Sequence, residues 1–505
     1  MIGLPVLAQT RALPALGRPE ILAVAAAYFV VCAAIAWWST RRTRTAADFY
    51  VAGRGIGIWS LAIAAMAATL SGFAFIGGPG LVYALGTGAV FIVLPAALTG
   101  ALSGWALARP LRLLAEVRGV MTIPAAIGAR YRSPAAQGLA GIAILAAVVG
   151  YLATNLVALG LVLDALFGLG RTPAIVLGAV IVLSYTMAGG ILAGIYTDLF
   201  QGAVMAIAST LVFAAVLDTG GGLAALSQTI LATEPGWFGP WGTLSPVAAL
   251  SFFFVFGLGT LGQPHVVHKF YMIRDPRRLR WYPLLMTGAL LLTLLLYVGV
   301  GLAMKAQVLR GAVPPMASPD DATPTFLLRF ASPLLAGVVF SGVAAAIMST
   351  ANSFLSIGAA ALTQDLPAMR GRAPLASLAA GRVATLVVAL VALGAALGST
   401  RLIALLGVYG WGMFAATLVP ALAIGLNWPG ATRAGALAAI LTGLVGTLAL
   451  EGLAWAKLIA LPSGVSIAGI TMVAAILTFV GVSWLTRADA EGDVDPDVRV
   501  ALGWD

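Results

Sequence analysis

Long apolar segments recur along almost the whole chain and are separated by short polar connections. A helix needs about 20 apolar residues to cross the roughly 30 Å hydrocarbon core of a bilayer. Thirteen segments approach or exceed this length, and they lie near 21–39, 56–83, 86–108, 136–168, 172–188, 191–217, 244–264, 281–304, 325–360, 376–398, 402–426, 431–455 and 463–486. The pattern predicts an all-α integral membrane protein with about 13 transmembrane helices.

The composition excludes a soluble enzyme. Of the 505 residues, 61% are hydrophobic and only 9% are charged, whereas soluble domains carry roughly 25% charged residues. The single cysteine, Cys32, excludes a disulfide within the chain, and the presence of only two histidines disfavours a histidine metal site. The spans contain no paired carboxylates or nucleophile–base pair. We therefore expect no enzymatic activity, no organic cofactor and no obligatory protein partner.

The basic residues are distributed unequally between the two sides that thirteen spans define. Twenty of the 28 Lys and Arg residues fall on one side. The other eight are Arg11, Arg18, Arg171, Lys305, Arg310, Arg329, Arg401 and Lys457. Because basic residues accumulate on the cytoplasmic side, we predict a multi-pass plasma (cell inner) membrane protein with its N-terminus outside and its C-terminus inside. The net charge of +10 then reflects contact with the lipid bilayer and not with nucleic acid. The acidic tail is predicted to be solvated and partly disordered.

Two spans carry residues that break helices. Span 2 contains TLSGFAFIGGPG (69–80), and span 7 ends in FGLGTLGQPH (256–265). A break at membrane depth is tolerated where the freed backbone lines a cavity or binds a ligand; the alternative is a kinked helix with small residues at a packing interface. Spans 2 and 7 are five spans apart, so the two halves have inverted topology. Broken helices in corresponding positions of inverted halves favour a transporter with a site at the membrane midplane.

Span 9 carries the segment GVAAAIMSTANSFLS, which gathers oxygen atoms on one face. The Ala346 carbonyl points toward Ser349 and Thr350, three and four positions further along the helix. The alanines allow another backbone to approach closely. If that backbone is the broken span 2 near Ala67 and Leu70, its carbonyls complete an oxygen cage suited to Na⁺. The alternative is that both hydroxyls bond back to their own helix.

Few acidic residues lie within the apolar spans. Asp198 lies well inside the membrane and is a functional candidate because a buried acid is costly; its alternative role is a structural partner for an amide or an arginine. Asp164 and Glu451 lie near span ends and favour interfacial positions. His265 and His268 follow the break in span 7 and are predicted to be loop or interface residues.

Several motifs together resemble the sodium:solute symporter family, which includes the sodium/proline and sodium/glucose symporters. They are DFYVAGRGIGIW (48–59), AATLSGFAFIGGPGLVYALG (67–86), TIP (122–124), GGILAGIYTDLFQG (189–202), GQPHVVHKF (262–270) and AAAIMSTANSFLSIGAAALTQDL (344–366). The resemblance covers about 20–486 and implies a single transport domain (1–505) with a LeuT-type fold of inverted five-helix repeats. Its parts are a leading helix and first cytoplasmic loop (1–55), a first repeat (56–217), a second repeat (244–426), two trailing helices (431–486) and the acidic tail (487–505).

The resemblance also implies positions for the functional residues. The sodium site falls on the carbonyls of Ala67, Leu70 and Ala346 and on the hydroxyls of Ser349 and Thr350, and Asp198 matches an acid on the cation pathway. The substrate site falls on Ser71, Gly72, Phe73, Tyr151, Asn155, Phe256, Thr260, Gln263, Tyr409 and Trp411.

The chain departs from the sodium/proline symporters at two places. Thr69 stands where they carry an aspartate, and Phe256 and Thr260 stand at their aromatic positions in span 7, with Pro264 kept. The solute is therefore left open among amino acids such as proline, short monocarboxylates and sugars. The GQPH and span 9 motifs favour the first two.

The resemblance implies a sodium-coupled symporter that imports a small organic solute by alternating access. Three alternatives stay open: a proton-coupled transporter of the same fold, a solute-sensing membrane receptor, and a channel. The chain continues only about twenty residues past span 13, which leaves little room for the effector domain of a receptor. A single cation patch beside a solute cavity suits coupled transport better than a channel.

Overall fold

The computed structural model describes residues 18–41, 56–375, 377–399, 403–461 and 465–504. The part of the predicted first loop at 42–55 lies outside these residues, as does Arg401. Twenty α-helices make up most of the described chain, with short 3₁₀ and π segments between them. One isolated parallel bridge joins Ile56 to Ile273, and the described residues form no longer strand.

The helices are numbered in chain order. They are α1 (Pro19–Thr40), α2 (Ile58–Thr69), α3 (Gly78–Leu85), α4 (Val90–Arg118), α5 (Ile123–Arg130), α6 (Pro134–Phe167), α7 (Arg171–Asp218), α8 (Gly222–Thr233), α9 (Pro246–Gly259), α10 (Pro264–Val267), α11 (Tyr282–Leu309), α12 (Ala322–Arg329), α13 (Pro333–Ala360), α14 (Leu366–Met369), α15 (Leu378–Gly398), α16 (Ile403–Leu418), α17 (Gly425–Asn427), α18 (Arg433–Trp455), α19 (Ile467–Leu485) and α20 (Pro496–Leu502).

The described helices are long and apolar enough for many membrane crossings. Nine of them qualify within the described residues, and the bent pair Pro246–Gly262 and Pro264–Met272 would make a tenth. Three shorter apolar stretches, Pro19–Ile35, Ile58–Thr69 and Arg171–Ser184, accompany them. The all-α membrane class is confirmed, whereas the predicted number of about 13 spans is not.

Helix α7 differs from the sequence prediction. It continues without interruption from Arg171 to Asp218, through the predicted connection between spans 5 and 6 at 189–190. Glycine permits a break but does not impose one. In apolar surroundings, a continuous helix satisfies every backbone group that a break would leave unpaired.

Serine followed by proline begins three of the long helices. The hydroxyls of Ser133, Ser245 and Ser332 each accept a hydrogen bond from the backbone N–H three residues further on. Proline fits the first helical position because the N–H that it lacks would have no partner there. These pairs fix the starts of α6, α9 and α13.

Both predicted breaks are present. Helix α2 ends at Thr69, and the next residue, Leu70, is extended (φ −87°, ψ 98°). A π-helical turn, Phe73–Gly77, then leads into α3. Gln263 is similarly extended between α9 and α10 (φ −81°, ψ 102°). Gly72 follows the first break, and a Cβ atom at this position would lie 2.4 Å from Cβ of Ala158. The broken span therefore packs against α6 only if this residue is glycine.

Helix α13 lies at the centre of the fold. It packs against α1, α2, α6, α7 and α15. Buried residues make up 83% of its most apolar stretch, compared with 33% for α18 and α19. The centre of the protein is therefore built around the helix that carries Ser349 and Thr350, and the two trailing helices are peripheral.

The acidic C-terminal segment is docked, so the prediction of partial disorder is wrong for it, although Asp489, Glu491 and Asp497 are exposed, as predicted for a solvated segment. Asp493 pairs with Arg433 at 3.2 Å, and Asp495 pairs with Arg132 at 2.9 Å and with Arg118 at 2.6 Å. Helix α20 follows and packs against α4. The acidic run had the pattern of a solvated tail, but three fixed arginines from distant parts of the chain give it partners.

A short turn, Pro319–Asp321, packs on the second half of the broken span. It lies so close to Gly80 that any side chain at this position would collide with the turn. The Asp320 carboxylate accepts a hydrogen bond from the Ile403 N–H at 3.0 Å, at the start of α16. Burial raises the pKa of Asp320 to about 6, although the Ile403 N–H opposes the shift. The turn therefore holds a buried carboxyl group that favours its neutral form.

Asp320→Asn should stabilise the protein at pH 7.5 but not at pH 4.5. The pKa is about 6 in the folded state and about 3.9 in the unfolded state, so the folded protein binds the proton more tightly. The free energy of unfolding of the wild type therefore falls as the pH rises from about 4 to 6. Asparagine keeps an acceptor for the Ile403 N–H without the charge. We expect a gain of about 3 kcal/mol at pH 7.5, measured by thermal unfolding of the purified protein.

Glu491→Gln is the control, because the Glu491 side chain is 90% exposed. It should change the unfolding temperature little at either pH. An equal effect of Asp320→Asn at both pH values would contradict the raised pKa of Asp320.

Candidate functional site

Three backbone carbonyls from two helices converge on one hydroxyl at the first break. Oγ1 of Thr350, on α13, lies 2.9 Å from the carbonyl oxygen of Ala68, 3.4 Å from that of Leu70 and 3.0 Å from that of Ala346. All four residues are buried, as is Ala67, which precedes Ala68. The structure thus brings the predicted residues Leu70, Ala346 and Thr350 together and adds the Ala68 carbonyl.

This oxygen cluster has too few protons for its acceptors. A hydroxyl group carries one proton and donates to one carbonyl at a time. The Ala346 carbonyl also accepts the N–H of Thr350 within the helix, so the carbonyls of Ala68 and Leu70 share at most one proton from Thr350. Bonding of Thr350 to its own helix accounts for the contact with Ala346. It does not account for Ala68 and Leu70, which lie 282 and 280 residues away in the chain. A small hard cation is the ligand that such converging oxygens suit.

The hydroxyl next to this cluster contacts a buried ion pair. Oγ of Ser349 donates to Oδ1 of Asp198 at 2.5 Å, and Nζ of Lys269 lies 2.9 Å from Oδ2. The side chains of Asp198 and Lys269 are each 1% exposed. The group joins α7, α13 and the 3₁₀ turn His268–Met272 that follows the second break.

The sequence reasoning missed Lys269, which it counted among basic residues of a cytoplasmic loop. It also placed His265 and His268 in a loop or interface, and both are buried, so that prediction is wrong. The ring of His265 packs against Phe354, with ring centroids 4.6 Å apart. The signal was the apolar sequence around Lys269, HVVHKFYMI, which is untypical of a solvated connection.

A small cavity of about 40 Å³ adjoins the oxygen cluster. Its lining residues are Thr69, Leu70, Phe73, Ala74, Ile92, Tyr151, Phe256, Leu290, Leu294, Tyr297 and Trp411. Four of these, Phe73, Tyr151, Phe256 and Trp411, are predicted substrate residues. Phe256 stacks with Phe73 at 5.6 Å and with Trp411 at 5.3 Å between centroids. Leu70 lines the cavity, and its carbonyl faces Thr350. The oxygen cluster and the cavity therefore share the backbone at Leu70.

Two other predicted substrate residues bond to the broken backbone. Oδ1 of Asn155 accepts from the Gly72 N–H at 3.0 Å, at the first break. Nε2 of Gln263 donates to the carbonyls of Gly259 at 2.9 Å and Trp411 at 3.2 Å, at the second break. Each break therefore has a side-chain amide that satisfies freed backbone groups.

The remaining predicted substrate residues, Ser71, Thr260 and Tyr409, are not among the residues that line the cavity. The hydroxyl of Ser71 is 3.2 Å from that of Tyr151, which brings a polar group to the edge of the aromatic surface. Thr260 donates to the Phe256 carbonyl of its own helix at 3.0 Å. Tyr409 packs beside Gly150. Sequence patterns place these residues on helices but do not determine side-chain direction, which depends on the packing of each helix.

Two broken helices, an oxygen cluster at one break and an adjoining cavity define a secondary transporter of the LeuT type. The chain is similar to the outward-open, substrate-bound structure of a Na⁺-coupled sialic acid symporter, with a TM-score of 0.74 and 18% identity, covering 92% of this chain and 98% of that one. It is also similar to MhsT in complex with L-phenylalanine, with a TM-score of 0.50 and 13% identity over 85% of this chain and 98% of that one. These similarities establish the fold.

Residues 49–443 match the sodium:solute symporter family, and the chain belongs to this family. It is 30% identical over 439 residues to the osmoregulated proline transporter OpuE of Bacillus subtilis, covering 84% of this chain and 87% of that protein. It is 29% identical over 442 residues to a sodium/proline symporter of Staphylococcus aureus, covering 86% and 85%. These relatives are transporters and not enzymes.

Lys269→Met should strongly destabilise the protein, because it leaves the Asp198 charge buried without its cationic partner. Removing one member of a buried ion pair costs about 3–5 kcal/mol. The double variant Asp198→Asn with Lys269→Met removes both charges and keeps an acceptor for Ser349, so it should recover most of the loss. Thermal and denaturant unfolding of the purified variants measure both effects.

Lys305→Met serves as the control, since the Glu234 partner of Lys305 is 42% exposed and the pair is partly solvated. If Lys269→Met unfolded like the wild type, Asp198 and Lys269 would not form a stabilising pair.

Proposed function

We propose that this protein couples inward movement of Na⁺ to import of a small organic solute by alternating access. The solute is an amino acid such as proline, or a short monocarboxylate. Family membership and the convergence of three carbonyls on Thr350 support the proposal. The protein needs no organic cofactor for this activity, because the electrochemical gradient of Na⁺ supplies the free energy.

The cation site is assigned to the backbone carbonyls between Ala67 and Leu70, the Ala346 carbonyl, and the hydroxyls of Ser349 and Thr350. Ser349 uses its proton on Asp198, so its lone pairs are free to face a cation. A bound Na⁺ would attract oxygens from α13 and from the broken span together. It would thereby fix the extended backbone at Leu70 that also lines the solute cavity.

Movement of one positive charge inward through a potential of 100 mV releases about 2.3 kcal/mol, and the sodium concentration gradient adds to this. Uptake against a gradient is thus possible with a single Na⁺. When the site opens inward, the broken span would move away from α13 and weaken the oxygen cage. Asp198 lies beside Ser349 and is assigned to the route by which the cation leaves.

The lining of the cavity favours a solute with a small apolar body. Most of its surface is aliphatic or aromatic, with hydroxyls at Thr69, Tyr151 and Tyr297. A sugar would need a polar partner for each of its hydroxyls, because unpaired polar groups are costly when buried. The half-helix that begins after Ser71 directs its N-terminus toward this region, an arrangement that suits a carboxylate.

The location follows from the distribution of basic residues. We propose that the chain lies in the plasma (cell inner) membrane with the side that carries twenty of the 28 basic residues facing the cytoplasm. With the thirteen crossings predicted from the sequence, the N-terminus is then outside and the C-terminus inside.

Thr350→Ala should raise the Na⁺ concentration for half-maximal solute uptake by about tenfold or more, because one oxygen ligand is lost and about 1.4 kcal/mol corresponds to tenfold. Thr350→Ser keeps the hydroxyl and should stay within about threefold of the wild type. Initial rates in proteoliposomes, with choline replacing Na⁺ at constant ionic strength, measure this.

Thr385→Ala is the matched control: Thr385 is a buried helical threonine that donates to Gly381 of its own helix at 2.9 Å. It should leave the sodium dependence unchanged. Uptake by the wild type that persists fully in choline would argue against sodium coupling and point to protons.

Phe256→Ala should raise the half-saturating concentration of L-proline or propionate, whichever is transported, by roughly tenfold, since burial of a phenyl face contributes about 1.5–3 kcal/mol. The sodium dependence should change much less. Radiolabelled uptake and competition by the unlabelled solutes provide the measurement.

Phe252→Ala, one helical turn away and outside the cavity lining, is the control and should have little effect. Sodium-dependent transport of another solute class with neither proline nor propionate would refute the solute assignment but not the coupling.

A further inference from the structure

Polar side chains continue along α13 beyond the oxygen cluster. Three polar residues follow Ser349 by three, four and seven positions, namely Asn352, Ser353 and Ser356. This spacing places them on the same face of a helix as Ser349, where neighbouring side chains are about 5–6 Å apart between Cβ atoms. All four residues are buried. They form a polar stripe that begins at the proposed cation site and runs toward the end of the helix that leads to Arg370.

The side chains of the stripe beyond Ser349 are unpaired. Both Oδ1 and Nδ2 of Asn352 lack a hydrogen-bond partner among the described residues, and so do the hydroxyls of Ser353 and Ser356. At most 2% of each residue is exposed. Buried polar groups without partners are costly, and polar residues at membrane depth often mark the pathways of ions and substrates.

Other hydroxyls of the same helix are satisfied locally. Ser341 donates to a carbonyl of its own helix at 2.8 Å, and Thr350 lies 3.0 Å from the Ala346 carbonyl. This bond to the carbonyl four residues earlier is common for serine and threonine in helices, but Ser353 and Ser356 do not form it. Within α13, every buried side chain with an unpaired polar atom follows Thr350. The polar stripe therefore leaves the oxygen cluster in one direction only.

The stripe faces α7. Asp198 of α7 accepts from Ser349. Gly194 lies one helical turn from Asp198, and a Cβ atom at Gly194 would be 2.2 Å from Nδ2 of Asn352. The two contacts are successive steps along one interface, since they are three residues apart on α13 and four residues apart on α7. The acid that is assigned to the exit of the cation therefore lies at the start of the stripe.

A second cavity lies at the other end of the stripe. It measures about 10 Å³, which is room for roughly one water molecule. Ser356, Ile357 and Ala360 of α13 line it, together with Thr122 and Pro124 at the start of α5 and five further residues. The contact between the helices is thus polar where it meets Asp198 and incompletely packed at its far end. These properties suit a route for a small hydrated ion better than a sealed helix contact.

We propose that Asn352, Ser353 and Ser356 line the route by which Na⁺ leaves the Thr350 cluster. This inference rests on the proposed sodium coupling and extends the exit route beyond Asp198. The oxygens of the stripe act one after another and not as one site. When the protein opens inward, the ion passes to the amide oxygen of Asn352, and water enters from the side of Ser356. A structural role does not explain the stripe, because apolar side chains of the same size would pack without unpaired atoms.

Asn352→Leu and Asn352→Ala test this route. Leucine keeps about the volume of asparagine and alanine leaves more space, so an effect that both share cannot come from obstruction. The maximal rate of Na⁺-driven uptake of L-proline or propionate, whichever is transported, should fall about tenfold in each variant. The Na⁺ concentration that gives half of the sodium-dependent rise in unfolding temperature should stay within about threefold of the wild type. Asn352→Leu should also unfold at a higher temperature than the wild type, because the unpaired groups are gone.

Initial rates in proteoliposomes give the maximal rate. Thermal unfolding of the purified full chain, titrated with NaCl against choline chloride at constant ionic strength, gives the sodium dependence. Asn352→Ser keeps an oxygen at this position and should retain the maximal rate within about threefold. Ser353→Ala should lower the maximal rate by about threefold.

Ser341→Ala is the control, because Ser341 is buried on the same helix before the oxygen cluster and its hydroxyl is satisfied. It should leave the maximal rate and the titration unchanged. A wild-type maximal rate in both Asn352→Leu and Asn352→Ala would overturn the route. A shift of the Na⁺ titration by about tenfold, as expected for Thr350→Ala, would also overturn it, because Asn352 would then act on the binding site itself.

These outcomes are distinguishable from a failure of the proposed function. If uptake by the wild type depends on Na⁺ and the Asn352 variants transport at the wild-type rate, only the route is wrong. If uptake by the wild type continues fully in choline, sodium coupling is wrong, and the route is wrong with it.

Discussion

The break at Leu70 is the feature on which the rest of the structure depends. Hydrocarbon offers no hydrogen-bond partners, so every backbone group freed within a membrane must be satisfied by protein or ligand. Here the Thr350 hydroxyl faces the freed carbonyls, and the Asn155 amide accepts from the Gly72 N–H. The broken span is therefore stable only while α13 and α6 lie against it. A transport cycle that changes these contacts must replace the lost partners, and a cation and a solute are the available replacements.

The second break is satisfied differently. The side-chain amide of Gln263 donates to carbonyls on its own span and on α16. At the second break, an amide of the protein therefore satisfies backbone carbonyls, whereas at the first break the carbonyls face the Thr350 hydroxyl. This difference explains why the oxygen cluster lies at one break only. The nearby Lys269 compensates the charge of Asp198, which avoids an isolated charge in a medium of low dielectric constant.

Coupling has a simple structural basis in this arrangement. The extended segment at Leu70 faces α13 with its carbonyl and the aromatic cavity with its side chain. A change in the backbone there alters both surroundings at once, so an ion and a solute bound on either side would each favour the same conformation. Tight packing strengthens this link, because Gly72 leaves no space between the broken span and α6. Such a segment has few intermediate positions and suits switching between discrete states.

The sequence by itself determined the membrane class, the two breaks and the hydroxyl pair on span 9, because these depend on local composition and on helical spacing. Four of the residues that it assigned to the substrate site line the cavity, and two of these, Phe73 and Phe256, lie near the breaks in the sequence. It could not determine that Ala68 contributes a carbonyl, that Asn155 and Gln263 bond to the broken backbone, or that Lys269 pairs with Asp198. It also could not determine that the acidic tail finds arginine partners. These contacts join residues tens to hundreds of positions apart, and periodicity indicates that a residue is buried without indicating what it is buried against. Only the packing of α6, α7 and α13 around the broken span decided those partners.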